Sequence, residues 1–488
     1  MSKAVRNLAP KLLWNHFADL NAVPRPSKKE EEVIQFIVDF ATKLYLEYSV
    51  DAVGNVIVRK KATNGFEDRK TVILQSHLDM VHQKNNDTVF DFETQGIEMY
   101  VDNDWVTANG TTLGADNGLG VATIMAILSS QEIEHPDLEA LFTIDEETGM
   151  TGAMGLQPNL LHGEILLNLD TEEDDEIGIG CAGGVDITAS KNYSLEKTPE
   201  NSVAFSIEIK GLQGGHSGMD IHKGLANANK LINRVLYQIA TNLELRIASI
   251  HGGSLRNAIP RESKAVVTIQ ENLVDVFHDG ISKIIEEIKS EYCSLEPNLS
   301  IQVESSAIPN NVIDFSFQEQ LLKAVYAAHN GVYRLSPDIE NLVETSNNIA
   351  KVTVSKGTAT VECLTRSSSN SGKTDLSNTL KATFELAGFK VSFSGEYPGW
   401  QPNPSSEIVK KMTKIYTGLF NSTPNVMACH AGLECGILGQ NYPNVDMVSF
   451  GPTIKGAHSP DERASISSTQ KFWKFLVEIL KNIPKKHV

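Results

Sequence analysis

The stretch Val72-Ile-Leu-Gln-Ser-His-Leu-Asp79 predicts a buried β-strand that ends in two chemically active side chains. Its apolar start favours a strand in a core, and with a period of two His77 and Asp79 point to the same side. A carboxylate two residues from a histidine can orient a metal-bound imidazole through its second ring nitrogen. Two solvated polar residues at a strand end would give the same pattern, so this pair alone leaves both interpretations open.

An acid or a histidine stands beside a predicted strand end or helix start at four other places: Asp116 in Leu113–Gly120, Glu146 and Glu147 in Leu141–Gly149, Asp170 in Glu164–Asp170, and His458 in Val448–Glu462. Each segment has an ordinary explanation, such as a helix N-cap or an acidic turn. Together they place acids and histidines past the ends of several strands of one α/β sheet. Open α/β sheets form their ligand sites there.

Two histidines and three carboxylates suffice for two metal ions that share one bridging carboxylate. Adjacent carboxylates such as those of Glu146 and Glu147 repel each other, which is costly unless cations compensate. Imidazole nitrogen combined with carboxylate oxygen suits zinc, manganese or cobalt better than copper or calcium. We therefore expect two divalent metal ions per chain, with Zn2+ favoured over Mn2+ or Co2+.

The order of predicted elements indicates an α/β fold class, with a catalytic domain whose central mixed sheet is flanked by helices. Ser27 followed by Glu30 predicts a capping box at the start of its second helix. Between residues 195 and 396 two rounds of a strand pair, a helix and a strand predict an inserted α+β lid domain made of two similar units, by internal duplication. The catalytic domain is then formed by residues 1–194 and 397–488.

Composition argues against several classes of function. The chain has 43 basic and 61 acidic residues, a net charge of −18. A surface this acidic repels phosphate backbones and anionic lipid headgroups, so we expect neither nucleic-acid nor membrane binding. Five scattered cysteines do not form a disulfide framework, and the first residues lack the apolar core of a signal peptide. These features predict a cytoplasmic location.

Taken together, the five segments resemble those of the co-catalytic zinc metallopeptidases, the family of the glutamate carboxypeptidases, aminoacylases and carnosinase-type dipeptidases. The resemblance covers nearly the full chain and includes the long lid and the segments Leu113–Gly120, Asp145–Gly149 and Gly456–Arg463. It implies hydrolysis of small dipeptide substrates, including those that end in histidine, by a water activated between two metal ions.

The same resemblance implies how the ligands divide between the two ions. Asp116 would bridge them, His77 and Asp170 would complete one site, and Glu147 and His458 would complete the other.

It also implies three features beside the ligands. Asp79 would orient His77, and Glu146 would be the general base that takes a proton from the water. The peptide bond between Asp116 and Asn117 would be cis.

In the predicted lid, the glycine-rich segment Gly211–Gly218 resembles a family motif whose histidine, here His216, stabilises the developing oxyanion. Asn257 resembles the asparagine that assists this histidine. A glycine loop with a surface histidine is the ordinary alternative.

Substrate recognition is predicted less directly. Many relatives end the next lid strand in an arginine, but this chain has Gln270 there. Arg366, at the end of the corresponding strand in the second round, is therefore the candidate for binding the substrate carboxylate, with a surface arginine as the alternative. Glu434 is the candidate for the substrate amino group.

Three other functions fit parts of the pattern. A deacylase or carboxypeptidase of the same clan would act on N-acyl amino acids or longer peptides. A non-enzymatic binding protein on the same scaffold would have lost ligands or the base, which are all present. The third alternative is a protease with a serine or cysteine nucleophile, but no serine or cysteine stands in a convincing setting for that role. The sequence leaves the oligomeric state open, and a homodimer is compatible with it.

Overall fold

The computed structural model describes residues 3–486, which form two compact units. Unit 1 consists of the described parts of Met1–Gly180 and Leu433–Val488 together with Trp400–Ala428, and unit 2 consists of Cys181–Gly399 and Cys429–Gly432. Within the described residues, no helix combines the length and the apolar character that crossing a membrane requires. The functional division into catalytic and lid domains stays a prediction.

Unit 1 is built around an eight-stranded mixed sheet. Its strands lie in the order β1 (Glu47–Val50), β2 (Val56–Lys60), β6 (Leu138–Thr143), β3 (Val72–His77), β7 (Ile165–Asn168), β23 (Asp446–Ser449), β8 (Glu176–Cys181) and β22 (Asn425–Cys429).

The four central strands of this sheet, β6, β3, β7 and β23, run parallel. Strands β6, β3 and β7 are buried along their length and β23 is buried after its first residue, as expected for apolar strands covered on both faces. The register pairs His77 with Thr143 and Asn168 with Ser449. Because these residues end their strands at one edge of the sheet, the segments that follow them lie close together.

A smaller sheet and eight α-helices complete unit 1. The four strands of the sheet are β24 (Ile454–Lys455), β25 (Arg463–Ser465), β5 (Trp105–Ala108) and β4 (Met99–Asp102). The helices are α1 (Lys11–Leu20), α2 (Glu31–Lys43), α3 (Ala115–Ser129), α4 (Glu146–Gly149), α5 (Thr151–Gly155), α10 (Glu407–Phe420), α11 (Glu434–Asn441) and α12 (Ile466–Lys481). Helix α3 is apolar on all sides, which fits its burial in the core beside β3.

Unit 2 contains a nine-stranded antiparallel sheet. Eight strands lie in the order β16 (Ser300–Ser306), β11 (Ser202–Lys210), β15 (Ser263–Gln270), β13 (Arg246–Gly252), β19 (Val343–Ser355), β20 (Thr358–Ser367), β9 (Gly183–Asn192) and β21 (Lys390–Tyr397), and β18 (Gly331–Leu335) pairs with β19. Its helices are α6 (Ala228–Asn242), α7 (Val274–Tyr292), α8 (Phe315–Ala327) and α9 (Asn370–Leu386). Two short ribbons pair β10 (Leu195–Lys197) with β17 (Asn311–Ile313) and β12 (Gly215–His216) with β14 (Ala258–Ile259).

The strand order of unit 2 is symmetric about the central pair β13 and β19. Outward from this pair lie β15, β11 and β16 on one side and β20, β9 and β21 on the other. Along the chain the first half runs as a strand, a helix, two strands, a helix and a strand. The second half repeats this order from α8 to β21, apart from the additional strand β18, but its first strand, β9, precedes the whole first half. The two halves share one apolar core that extends from Ile187 to Phe389. The internal duplication itself stays a prediction.

The close approach of β13 and β19, the central seam of unit 2, predicts where a single added methyl group lowers stability most. Gly253 follows β13 with φ +75°, and a Cβ there would lie 1.8 Å from the carbonyl oxygen of Ala350 in β19. Gly331 also has positive φ but open space around it. We expect Gly253→Ala to lower the free energy of unfolding by about 1–3 kcal/mol more than Gly331→Ala, because only the first adds overlap to backbone strain. Urea unfolding of both variants measures the difference, and equal losses would contradict the close packing of the seam.

Candidate metal centre

The parallel strands of unit 1 bring the predicted metal ligands to one edge of the sheet. His77 is the last residue of β3, Glu147 lies in α4 just after β6, and Asp170 follows β7. Asp116 lies in the first turn of α3, and His458 lies between β24 and β25. The peptide bond between Asp116 and Asn117 is cis, as predicted.

Asp116 lies between two clusters of candidate ligands. Its Oδ1 is 3.3 Å from Nε2 of His77, which is also 3.4 Å from Oδ1 of Asp170. Its Oδ2 is 3.2 Å from Nε2 of His458, which is 3.0 Å from Oε2 of Glu147. In each cluster the possible ligand atoms all lie within 4.8 Å of one another. The two oxygens of one carboxylate thus belong to two different sites.

The donor atoms fit a pair of divalent cations. Each cluster offers one imidazole nitrogen with oxygens from two carboxylates, a combination that zinc and related ions accept. The second oxygen of Glu147, Oε1, is buried and has no hydrogen-bond partner among the described residues. A bound cation would satisfy this oxygen, whereas hydrogen bonds within the protein do not.

In the protein without metal, the histidines take over part of the charge compensation. Hydrogen bonds to Asp116 and Glu147 raise the pKa of His458 to about 11 against the effect of burial. Burial alone would lower the pKa of His77, but attraction to Asp170 and hydrogen bonds to Asp116 and Asp170 raise it well above its usual value. In the absence of metal, both rings are therefore protonated on both nitrogens at neutral pH, and a metal ion that binds would replace one of these protons.

Asp79 connects a ligand to the segment that carries the predicted base. Its Oδ1 is 3.3 Å from Nδ1 of His77, the ring nitrogen that faces away from Asp116. The same carboxylate accepts hydrogen bonds from the backbone N–H groups of Glu146 at 3.0 Å and Glu147 at 3.2 Å. Asp79 therefore sets the orientation of His77 and the start of α4 together.

Ser27 also binds this carboxylate, and the predicted capping box is wrong. The hydroxyl of Ser27 donates to Oδ2 of Asp79 at 2.8 Å, and α2 begins only at Glu31. Glu30 accepts instead from the backbone N–H groups of Lys28 and Asp145. A buried acceptor in another loop thus takes the serine hydroxyl away from the helix start.

Glu146 lies at the start of α4 beside the predicted ligand Glu147. Burial raises its pKa well above the usual value, and repulsion from Asp170, Glu434 and Glu147 adds to this effect against the attraction of His77. A carboxylate whose pKa is raised in this way accepts a proton more readily than an exposed one, which suits a general base.

Glu434 is fully buried beneath this edge of the sheet. Its Oε2 accepts hydrogen bonds from Gln75 at 2.6 Å and from Thr143 at 2.7 Å, and burial raises its pKa to about 7. The side-chain amide of Asn168 donates a hydrogen bond to the side-chain oxygen of Gln75, and its own oxygen accepts one from the hydroxyl of Ser449. These hydrogen bonds tie the four parallel strands together just below the ligands. Binding of a substrate amino group by Glu434 stays a prediction.

Three residues close to the ligands were not predicted from the sequence. Arg25 and Glu462 make buried hydrogen bonds to the segment ahead of Asp116. Glu172 has its pKa raised to about 8 by burial and by the charges of Asp116 and Asp170. The run of acids after Asp170 was a usable signal for Glu172. No local signal pointed to Arg25, which stands between two prolines, because most of its hydrogen bonds are to residues far along the chain.

Unit 2 holds the other predicted residues, among them His216. Nδ1 of His216 accepts hydrogen bonds from the backbone N–H groups of Gly218 at 3.2 Å and Met219 at 3.0 Å. The ring proton therefore lies on Nε2, which is free to donate. Burial, followed by the charge of Arg366, lowers the pKa of His216 and keeps the ring neutral. Asn257 is exposed next to this motif, and its carbonyl oxygen accepts from the backbone of Ser217.

Arg366 is buried near the end of β20, close to two imidazoles. Its Nη1 donates to the hydroxyl of Tyr397 at 2.8 Å. His430 lies 2.7 Å from the hydroxyl of Ser346, and burial together with the charge of Arg366 lowers its pKa to about 3. A buried guanidinium fixed by a tyrosine and flanked by neutral rings favours an anionic ligand.

Comparison with known proteins identifies relatives along nearly the whole chain. The family model described as Peptidase family M20/M25/M40 matches residues 73–482. Cytosol non-specific dipeptidase from Escherichia coli (strain K12) is 45% identical over 479 residues, which cover 98% of this chain and 99% of the relative.

Solved structures agree with this assignment. Aminoacylhistidine dipeptidase from Vibrio alginolyticus matches with a TM-score of 0.95 and 44% identity over 99% of both chains. Aminopeptidase PepT from Bacillus cereus ATCC 10987 matches with a TM-score of 0.57 and 15% identity over 98% of this chain and 99% of that one, which shows a shared fold alone. These matches confirm the predicted fold class and the family resemblance.

The raised pKa of metal-free His458 predicts that metal binding releases protons. With a pKa of about 11 the ring is protonated at neutral pH, so an ion that binds there must displace this proton. Affinity should therefore rise with pH between about 6 and 8, with roughly one proton released at this cluster. Calorimetry in buffers of different ionisation heat measures the number. His458→Asn should release fewer protons and His135→Asn, at a buried histidine elsewhere in unit 1, as many as the parent. Affinity that does not change with pH contradicts the prediction.

Proposed function

This chain belongs to peptidase family M20/M25/M40, and we propose that it hydrolyses dipeptides at a centre that holds two divalent metal ions. It is a metallopeptidase, and its activity is that of a dipeptidase, as in the relatives that match over nearly its full length. Dipeptides that end in histidine belong to the proposed substrates, by analogy with the relative from Vibrio alginolyticus.

The observation that carries this proposal is the position of the Asp116 carboxylate. Oδ1 faces His77 and Oδ2 faces His458, each at a distance that leaves room for an ion between the side chains. Asp170 completes the first set of ligands and Glu147 the second. Zn2+ is the proposed ion, and Mn2+ or Co2+ would be accepted by the same atoms.

Each residue of the centre has a separate task in the proposed reaction. Two bound cations supply positive charge that favours ionisation of a water molecule and polarises the carbonyl of the scissile bond. Glu146 accepts the proton of the water and passes it to the leaving amine. Asp79 keeps His77 in the orientation that presents Nε2 to the metal site.

The groups of unit 2 are proposed to recognise the reacting peptide. The Nε2 proton of His216 is suited to an oxyanion, since the hydrogen bonds at Nδ1 hold the ring in this tautomer. Asn257 would assist His216, and Arg366 would bind the substrate carboxylate. Glu434 remains the candidate for the amino group. A homodimer and a cytoplasmic location also stay predictions.

A hydrolysis screen with one active-site variant tests the proposed reaction. We expect the metal-loaded protein to cleave free dipeptides, including Xaa-His, and Glu146→Gln to lower turnover by a factor of at least ~10² because the proton acceptor is lost. Elemental analysis should find two metal ions in both proteins, since Glu146 is not a proposed ligand.

N-acetylated dipeptides serve as the comparison substrate. Preference for them would favour the deacylase alternative. Near-normal turnover of Glu146→Gln would remove Glu146 from the proposed mechanism.

A second substrate pair tests Arg366. Each hydrogen bond to a charged group contributes roughly 1.5–3 kcal/mol, so Arg366→Met should lower kcat/KM for a free dipeptide by about one to two orders of magnitude per bond lost. A C-terminally amidated dipeptide has no carboxylate and should lose little. Arg246→Met, which breaks an ion pair with Glu196 in the same unit, is the matched control and should affect both substrates equally. Equal losses for Arg366→Met would mean that Arg366 is structural.

A further inference from the structure

The carboxylate of Glu462 is buried and binds four consecutive backbone N–H groups. Oε2 accepts from Leu113 at 2.7 Å and Gly114 at 2.9 Å, and Oε1 accepts from Ala115 at 2.7 Å and Asp116 at 3.2 Å. Only 2% of the residue is exposed. Every N–H group in the segment that leads into Asp116 is therefore directed at one side chain.

Arg25 binds the carbonyl side of the same segment. Its Nη2 donates to the carbonyl oxygen of Gly114 at 2.5 Å, and its Nη1 donates to those of Leu78 at 3.0 Å and Asp79 at 3.1 Å. Burial lowers the pKa of Arg25 to about 10, so the side chain remains a cation at neutral pH. Neither Arg25 nor Glu462 belongs to the clusters of candidate metal ligands.

The geometry of the segment requires this arrangement. Gly114 has φ +69°, and a Cβ there would lie 2.5 Å from Nη2 of Arg25. A Cβ at Gly118 would lie 2.6 Å from the same atom. The two glycines therefore leave the room that the guanidinium occupies against the backbone.

Together the two side chains connect three segments that carry ligands. Arg25 joins the segment after His77 to the one that leads into Asp116, and Glu462 joins the latter to the segment that begins with His458. We propose that Arg25 and Glu462 are positioning residues that fix the bridging carboxylate of Asp116 between the two metal sites before an ion binds. This inference rests on the proposed two-metal function and adds to it residues that do not touch the ions.

The carboxylate form of Glu462 and the guanidinium of Arg25 suit such a role better than neutral groups would. A carboxylate accepts hydrogen bonds from N–H groups more strongly than a neutral amide does, and it has no hydrogen to direct at them. A guanidinium can reach two segments at once because its donors form a rigid fork, whereas an ammonium acts as a point charge. Glu462→Gln and Arg25→Lys therefore remove the proposed function with little change in volume.

Metal affinity is the property that separates positioning from a merely structural role. We expect Glu462→Gln to weaken binding of Zn2+ at both sites by about 10–100-fold, the range found when a group that orients ligands is removed. Competition with a chelator gives both affinities. Circular dichroism of the metal-free protein shows whether the variant folds.

Glu139→Gln is the matched control. Glu139 is a buried carboxylate of the same unit that accepts from the backbone N–H groups of His162 and Gly163. It lies in β6 near the edge opposite the ligands, so its loss should lower stability without changing Zn2+ affinity.

The outcomes can be told apart. Unchanged Zn2+ affinity in a folded Glu462→Gln overturns the positioning role, and so does an equal loss in Glu139→Gln. Should Glu462→Gln not fold, Glu462→Asp and Arg25→Lys decide in its place by the same affinity measurement. Parent protein that binds fewer than two Zn2+ ions contradicts the proposed function itself.

Discussion

Mutual repulsion among carboxylates at one edge of a sheet is the constraint on which unit 1 depends. Asp116, Glu146, Glu147 and Asp170 meet where four parallel strands end, and burial makes each of their charges more costly. Protonated histidines, backbone N–H groups and a buried arginine offset part of this repulsion. These groups hold the carboxylates in place but do not neutralise all of their negative charge. Divalent cations would compensate the charge that is left.

The sequence pointed to the residues that the structure brings together at this edge because their signal is local. A buried strand followed by His77 or Asp170 can be identified within a few residues, and parallel strands bring such ends together whatever lies between them. Glu462 could not be identified in this way, since its partner Leu113 lies 349 positions away. Ser27 was misassigned for the same reason: its pattern matched a helix cap, but its acceptor is Asp79, 52 positions along the chain.

In unit 2, strand and helix periodicity was sufficient to predict two rounds of elements, and the observed strand order is symmetric about β13 and β19. Local pattern could not predict the short strands β12 and β14, which exist only because the His216 motif pairs with the segment after Asn257. The two halves also differ in chemistry. Strand β15 ends in Gln270, whereas the corresponding strand β20 carries the buried Arg366 near its end.

The order of the elements along the chain has a consequence for biosynthesis. Strand β23 and His458 are encoded after the whole of unit 2, yet the strand belongs to the central sheet of unit 1 and His458 to its proposed metal centre. A ribosome that has released residues 1–428 has produced three of the four parallel strands but neither His458 nor Glu462. Unit 2, which is almost continuous in the sequence, can fold during translation. The nascent chain therefore gains the proposed metal centre only at the end of synthesis, and a product that stops at residue 428 lacks the proposed ligand His458.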